Sequence, residues 1–219
     1  VDRDYLLARG IPIRASARRV EALEARSWPA VEIVGADALK PITLPAALEG
    51  IDTAYYLVHS MIAQKDKFVE ADRKAAQNMV LAAESAGIDR IIYLGGLAEK
   101  KEGWLSKHLR SRIEVADILQ SGTVPVTDLR APMILGSGSA SFEILRYLVE
   151  RLPVMITPRW VRSLNQPIAI RNVVNYLVGC LEHDETIGQT YDIGGPDVLA
   201  YLNLLDIYAQ EAKLPKRWI

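Results

Sequence analysis

Apolar residues arrive in this chain as short runs, separated by longer stretches in which apolar positions recur at helical spacing. Ile11–Ala15, Val31–Val34, Thr53–Val58, Asp89–Leu94 and Val124–Leu129 read as strands. Between them, Lys65–Ala86 reads as a long helix with Gly87 as its stop. Ser106–Gln120 places Leu109, Ile113, Val115, Ala116, Ile118 and Leu119 on one helical face, and Gly122 follows as a stop. A short helix is expected over Leu44–Leu48, and Asp4–Arg9 reads as the last turns of a helix ended by Gly10. Strand alternating with helix predicts an α/β fold, a doubly wound parallel sheet. Ligands of such sheets sit beyond the carboxyl ends of the strands, so the polar and glycine residues there are the candidates for chemistry.

The order RIIYLGGL, a basic helix, then PVTDLRAPMILGSGSASFEILR resembles the atypical short-chain dehydrogenase/reductase superfamily, in particular its NmrA-like, NAD(P)-binding branch. The resemblance runs over nearly the whole chain and continues through PIAIRNVVNYL and YDIGGPDVLAY. It implies a Rossmann-like fold and a nicotinamide dinucleotide cofactor. In typical members a Ser or Thr ends the strand near 94, and a Tyr-x-x-x-Lys pair lies on the next helix. This chain has Gly95 and Gly96 at the first place and His108-x-x-x-Arg112 at the second.

A Rossmann-like domain opens with a strand and a glycine-rich turn whose N–H groups meet the pyrophosphate. The sequence begins instead at Val1-Asp2-Arg3, inside what should be the first helix. The expectation is therefore a fragment of a longer protein, with a gap or distorted pairing between the strands at 11–15 and 53–58, and with poor dinucleotide binding on its own. Residues 1–135 are expected to form the dinucleotide-binding portion. Residues 136–219, with smaller and less regular elements, are expected to form a substrate-side portion packed on the same domain. There, Gly136-Ser-Gly-Ser-Ala-Ser141 imitates half a dinucleotide fingerprint but lacks the third glycine and a matching acidic residue, so it reads as a loop.

Composition narrows the classes. Half of the 219 residues are hydrophobic, 24% are charged and the net charge is −1, which gives no general pull toward nucleic acid or anionic membranes. No apolar run reaches membrane-spanning length. The single cysteine, Cys180, lies in an apolar helical run and reads as a buried small residue. With no disulfide within the chain and nothing resembling a secretion signal, a cytoplasmic location is expected. The three histidines, 59, 108 and 183, are scattered, and no metal constellation is expected.

Candidate site residues follow the strands. Arg14, Arg18 and Arg19 form a basic cluster where the fold places the adenosine ribose. Arginines there suit a 2′-phosphate, so NADP is expected, with NAD the alternative. By the resemblance, Asp37 and Ala38 border the adenine. Val58, His59 and Ser60, followed by Met61, lie where the ribose and nicotinamide pass, and Gly95 faces the same edge. His108 and Arg112, four apart on one helical face, stand for the Tyr–Lys pair: histidine transfers protons near neutral pH, and arginine can bond a ribose. Arg130 and the segment Arg159-Trp160-Val161-Arg162 are candidates to meet an anionic or aromatic substrate.

These readings imply an NADP-dependent oxidoreductase acting on a small organic substrate. The alternative is a non-catalytic dinucleotide sensor or assembly factor that has lost the Ser/Tyr/Lys set. An epimerase or dehydratase is disfavoured, because those enzymes also usually need the Tyr–Lys pair. Neither the substrate nor the oligomeric state is encoded legibly.

Overall fold

A computed structural model describes residues 2–59, 68–97, 106–151 and 159–214, with backbone alone at 159 and 160. In chain order these form α1 (Arg3–Ala8), β1 (Ile13–Ala17), α2 (Glu21–Glu24), β2 (Val31–Gly35), α3 (Leu44–Leu48), β3 (Thr53–Tyr56), α4 (Phe68–Ala86), β4 (Arg90–Gly96), α5 (Lys107–Gln120) and β5 (Val126–Ala131). Then come β6 (Ile134–Leu135), α6 (Ala140–Arg151), β7 (Leu164–Asn165), β8 (Ile168–Ala169), α7 (Ile170–Glu182), β9 (Thr190–Asp192), β10 (Leu199–Ala200) and α8 (Tyr201–Glu211). The chain divides into two compact units, Val1–Arg130 with Asn175–Tyr191 and Ala131–Val174 with Asp192–Ile219.

In the first unit a four-stranded sheet runs in the order β3-β4-β5-β9. β3 and β4 are parallel, with Thr53 opposite Arg90 and Tyr56 opposite Tyr93. β1 and β2 form a separate parallel ladder, from Ile13 opposite Val31 to Ala17 opposite Gly35. Among the described residues β1 and β3 share no ladder. The expected α/β architecture with a parallel sheet flanked by helices is what the chain adopts.

The periodicity that predicts α4 and α5 also explains their packing. Ala75, Ala76, Met79 and Ala83 lie on one stripe of α4 and meet Val115, Ala116 and Leu119 of α5 over Ile91 and Tyr93 of β4. Small alanines let the two helices approach closely while still removing apolar surface from water. Gly87, at φ +68°, ends α4 in the left-handed conformation that glycine adopts without strain. Gly122 is different: a Cβ on it would stand 2.7 Å from Cγ1 of Val80, so close approach to α4, not a left-handed turn, demands glycine there.

Three boundaries differ from the sequence reading, each for a physical reason. β1 lies two residues later than expected, which puts Arg14 inside the strand and not in a basic cluster after it. Its Nε donates to Glu32 Oε2 of β2 at 2.7 Å and its Nη1 to the Glu49 carbonyl at 2.6 Å, beyond the end of α3. β4 continues through Gly95 and Gly96, which were expected beyond the strand. β3 ends at Tyr56, and Leu57 and Val58 follow as exposed residues.

Arg90 is a buried arginine, 4% exposed, that ties the sheet together. Its guanidinium donates to the hydroxyls of Thr127 and Thr186, both at 2.7 Å, and to the Cys180 carbonyl. Cys180 itself is free and buried, and burial raises its thiol pKa.

The second unit has its own core, with Met133, Leu145, Val149, Leu204, Leu205 and Ala209 buried together. The loop at 136–139 serves packing and capping. A Cβ on Gly136 would stand 2.4 Å from Ile170 Cγ2, and Ser139 Oγ accepts from the Phe142 N–H at 3.1 Å at the start of α6. The piece expected at 153–157 lies outside the described residues.

Candidate functional site

The carboxyl edge of the β3–β4 pair and the first two turns of α5 bring together residues far apart in sequence. Ser106 caps α5, its Oγ accepting from the Leu109 N–H at 3.2 Å, which fixes where the helix begins. His108 and Arg112 then project from the same face. The His108 ring meets that of His59, with centroids 4.8 Å apart and planes tilted by 40°. Partial burial lowers the His108 pKa below 6.5, with the neighbouring His59 and Arg112 acting in the same direction and Asp72 against it.

Arg112 takes another path. Its Nη1 donates to the Val58 carbonyl at 3.3 Å and its Nη2 to the Leu94 carbonyl. The guanidinium lies 4.8 Å from the centroid of Tyr93, whose hydroxyl donates back to the Arg112 carbonyl at 3.1 Å. Arg112 therefore fastens the ends of β3 and β4 to α5. Burial pushes the Tyr93 phenol well above its usual pKa, so it stays protonated and serves as a donor.

Beneath the histidines lies Asp72 of α4, only 2% exposed. Its Oδ2 accepts from Ser111 Oγ of α5 at 3.0 Å and stands 3.6 Å from Nδ1 of His59. Both ring nitrogens of His59 are shielded from solvent and make no hydrogen bond among the described residues. Leaving such a group unpaired costs about 1–3 kcal/mol, which packing alone gives no reason to retain.

Gly95 occupies the position where the resembling family carries Ser or Thr. It is buried, and a Cβ there would stand 2.7 Å from Asp128 Oδ1 of β5 and 3.1 Å from Cε1 of Tyr93. Gly96 is likewise closed off, by Leu109 Cδ1 at 2.8 Å from its would-be Cβ. Both glycines are close-approach positions within a strand.

At the carboxyl end of β1, Arg18 directly follows the strand and Arg19 is next to it. Both are exposed, and neither forms an ion pair among the described residues. Asp37 closes a turn, its Oδ1 accepting from the Leu39 N–H at 3.0 Å while its own N–H donates to Thr43 Oγ1 at 2.9 Å. Asn78 of α4 holds the Ala38 carbonyl at 2.7 Å. Ser60 and Met61 lie outside the described residues. Arg159–Arg162 forms a short 3-10 turn with Val161 buried. Among the described residues no group of three His, Cys, Asp or Glu side chains is arranged to hold a metal ion.

The site residues that sequence reasoning misses are Asp72, Ser111 and Asp128. A signal for the first two is present. Asp72 falls on the stripe that continues through Ala75, Ala76, Met79 and Ala83, and Ser111 on the stripe of Val115 and Leu119. A carboxylate and a hydroxyl at core positions of two packed helices mark a buried polar contact.

A family model described as NAD(P)H-binding matches residues 3–137. No curated protein matches the sequence. Among solved structures the chain is similar to a nucleoside-diphosphate-sugar epimerase from Staphylococcus aureus, at 18% identity and TM-score 0.80, covering 99% of this chain and 74% of that one. It is also similar to the Citrobacter sp. triphenylmethane reductase complexed with NADP(H), at 18% identity and TM-score 0.73, over 94% of this chain and 68% of that one. A short-chain dehydrogenase/reductase superfamily protein from Agrobacterium tumefaciens with bound NAD matches at 16% identity and TM-score 0.75, over 99% and 80%. At these identities the likeness shows the fold.

Proposed function

The chain belongs to the NAD(P)H-binding family, and from that premise we propose an NADP-dependent oxidoreductase of the NmrA-like, atypical short-chain dehydrogenase/reductase type, acting on a small organic carbonyl or alcohol. When bound, the nicotinamide supplies or takes the hydride, and the protein's part is orientation and proton handling. His108 is the proton-transfer group. Its pKa is held below 6.5, so at neutral pH the imidazole is uncharged and takes the proton of an alcohol as the carbonyl forms. In the reverse direction it returns that proton.

Arg112 acts as a positioning residue, since its donors already hold the carbonyls of Val58 and Leu94. Val58, His59 and Gly95 line the ribose and nicotinamide side in this reading. Arg18 and Arg19 receive the 2′-phosphate, which their exposure and lack of ion pairs among the described residues support. Asp37 and Ala38 border the adenine, with one Asp37 oxygen closing the turn. The described residues thus fit the adenosine and nicotinamide ends of a dinucleotide.

The observation that carries this reading is the pair of imidazoles 4.8 Å apart at the carboxyl edge, one of them with neither nitrogen hydrogen-bonded among the described residues. The rival reading is a dinucleotide sensor. It is favoured by the engagement of Arg112 with backbone carbonyls, which occupies the guanidinium that would otherwise bond the ribose. Fluorescence titration with NADPH and NADH, followed by turnover on a panel of carbonyls and alcohols, separates the two. Turnover that His108→Gln abolishes, with binding kept, supports the enzyme. Binding without turnover across the panel supports the sensor.

A further inference from the structure

Asp72 is a buried carboxylate beside the two histidines, and nothing in the oxidoreductase reading uses it. Ser111 donates to its Oδ2 at 3.0 Å, a hydrogen bond that favours the charged form of the carboxyl group. The same oxygen stands 3.6 Å from His59 Nδ1, just beyond hydrogen-bond distance. The His59 ring in turn faces His108.

One carboxylate balances one imidazolium. Among the described residues the ionisable groups facing His108 are His59 after β3, Arg112 on its own helix α5, and Asp72 on α4. A second proton on the pair would set two imidazolium rings side by side, next to a guanidinium, beside the Asp72 carboxylate.

We propose that Asp72, His59 and His108 titrate as one unit, in which the carboxylate supports a proton on the histidine pair and the first imidazolium, together with Arg112, opposes a second. Asp72 and His59 are then positioning residues for proton transfer, keeping a neutral imidazole available at His108. The inference rests on the reading of His108 as the proton-transfer group.

Histidine-selective NMR titration tests it without substrate or cofactor. The chain has only three histidines, and His183, whose side chain is 59% exposed, serves as the internal reference. A coupled pair gives two inflections at each of its ring signals, because each ring senses the other's charge. Replacing the partner in His59→Gln should collapse the His108 curve to one inflection and move it upward, with His183 unmoved. Asp72→Asn should move the His108 curve downward.

His59→Gln alters a loop side chain and leaves the helix packing intact, so it decides the matter even if Asp72→Asn fails to fold. A single His108 inflection that is the same in the unmodified protein and in His59→Gln overturns the proposal. So does a folded Asp72→Asn protein whose His108 curve is unchanged. Where turnover is measurable, the limb of kcat/KM assigned to His108 should shift upward in His59→Gln along with the NMR curve. A coupled titration with no turnover on any substrate would retain the unit while rejecting the oxidoreductase reading.

Discussion

Gly95 and Asp128 lie so close that a Cβ on the glycine would stand 2.7 Å from the carboxylate Oδ1. The contact joins the end of β4 to β5 at the position where the resembling family carries Ser or Thr. Placing a hydroxyl there is therefore not a neutral change. Gly95→Ser should destabilise the protein by about 1–3 kcal/mol, the usual range for overpacking a filled site. Each kcal/mol lowers the thermal midpoint of a chain this size by roughly 2–4 °C. Pairing the change with Asp128→Ala should recover part of the loss. A Gly95→Ser protein as stable as the original would show that the contact yields freely.

Arg112 gives the second expectation. A lysine keeps the positive charge but cannot hold two carbonyls in a planar fork while lying over Tyr93. Arg112→Lys should cost about 1–3 kcal/mol of stability. It should also speed hydrogen exchange at the ends of β3 and β4, as read by mass spectrometry. Unchanged stability combined with lost cofactor binding would instead place the guanidinium on the dinucleotide.

Cofactor choice supplies the third. Arg18→Ala should weaken NADP binding by about 1–3 kcal/mol, the range for a hydrogen bond to a charged group, and leave NAD binding nearly unchanged. Titration with both reduced cofactors by fluorescence reads this directly. Equal losses for the two would remove the 2′-phosphate assignment.

The fourth concerns pH. The folded-state pKa of His108 lies below 6.5, so the unfolded chain binds its proton first as pH falls. Stability from this group is fully present above the unfolded value and is lost as pH falls from there toward the folded value. Urea unfolding at pH 7.5 and pH 5.5 should therefore show a smaller loss on acidification in His108→Gln than in the unmodified protein. Equal losses would mean that His108 titrates alike in both states.

The sequence by itself determined the architecture and half of the site. Apolar runs and helical stripes locate the strands and helices because burial imposes period 2 on a strand and 3.6 on a helix, whatever the partner. The i, i+4 spacing of His108 and Arg112 likewise puts them on one face in any helix. What those side chains then touch depends on segments distant along the chain. His108 meets His59 across α5 and the end of β3, while Arg112 turns to the carbonyls of Val58 and Leu94. Asp72 and Ser111 read as interruptions of two apolar stripes, and only the packing of α4 on α5 makes them partners. Arg14 shows the same limit. A strand lying two residues later moves it from a cofactor edge to Glu32 and the end of α3, because register is set by the neighbouring strand. Gly95 and Gly96 look like a turn in sequence, and the close approach of Asp128 and Leu109 makes them part of a strand. Local patterns carry the free energy of burial, whereas hydrogen bonds and steric exclusion between distant residues exist only once the chain has packed.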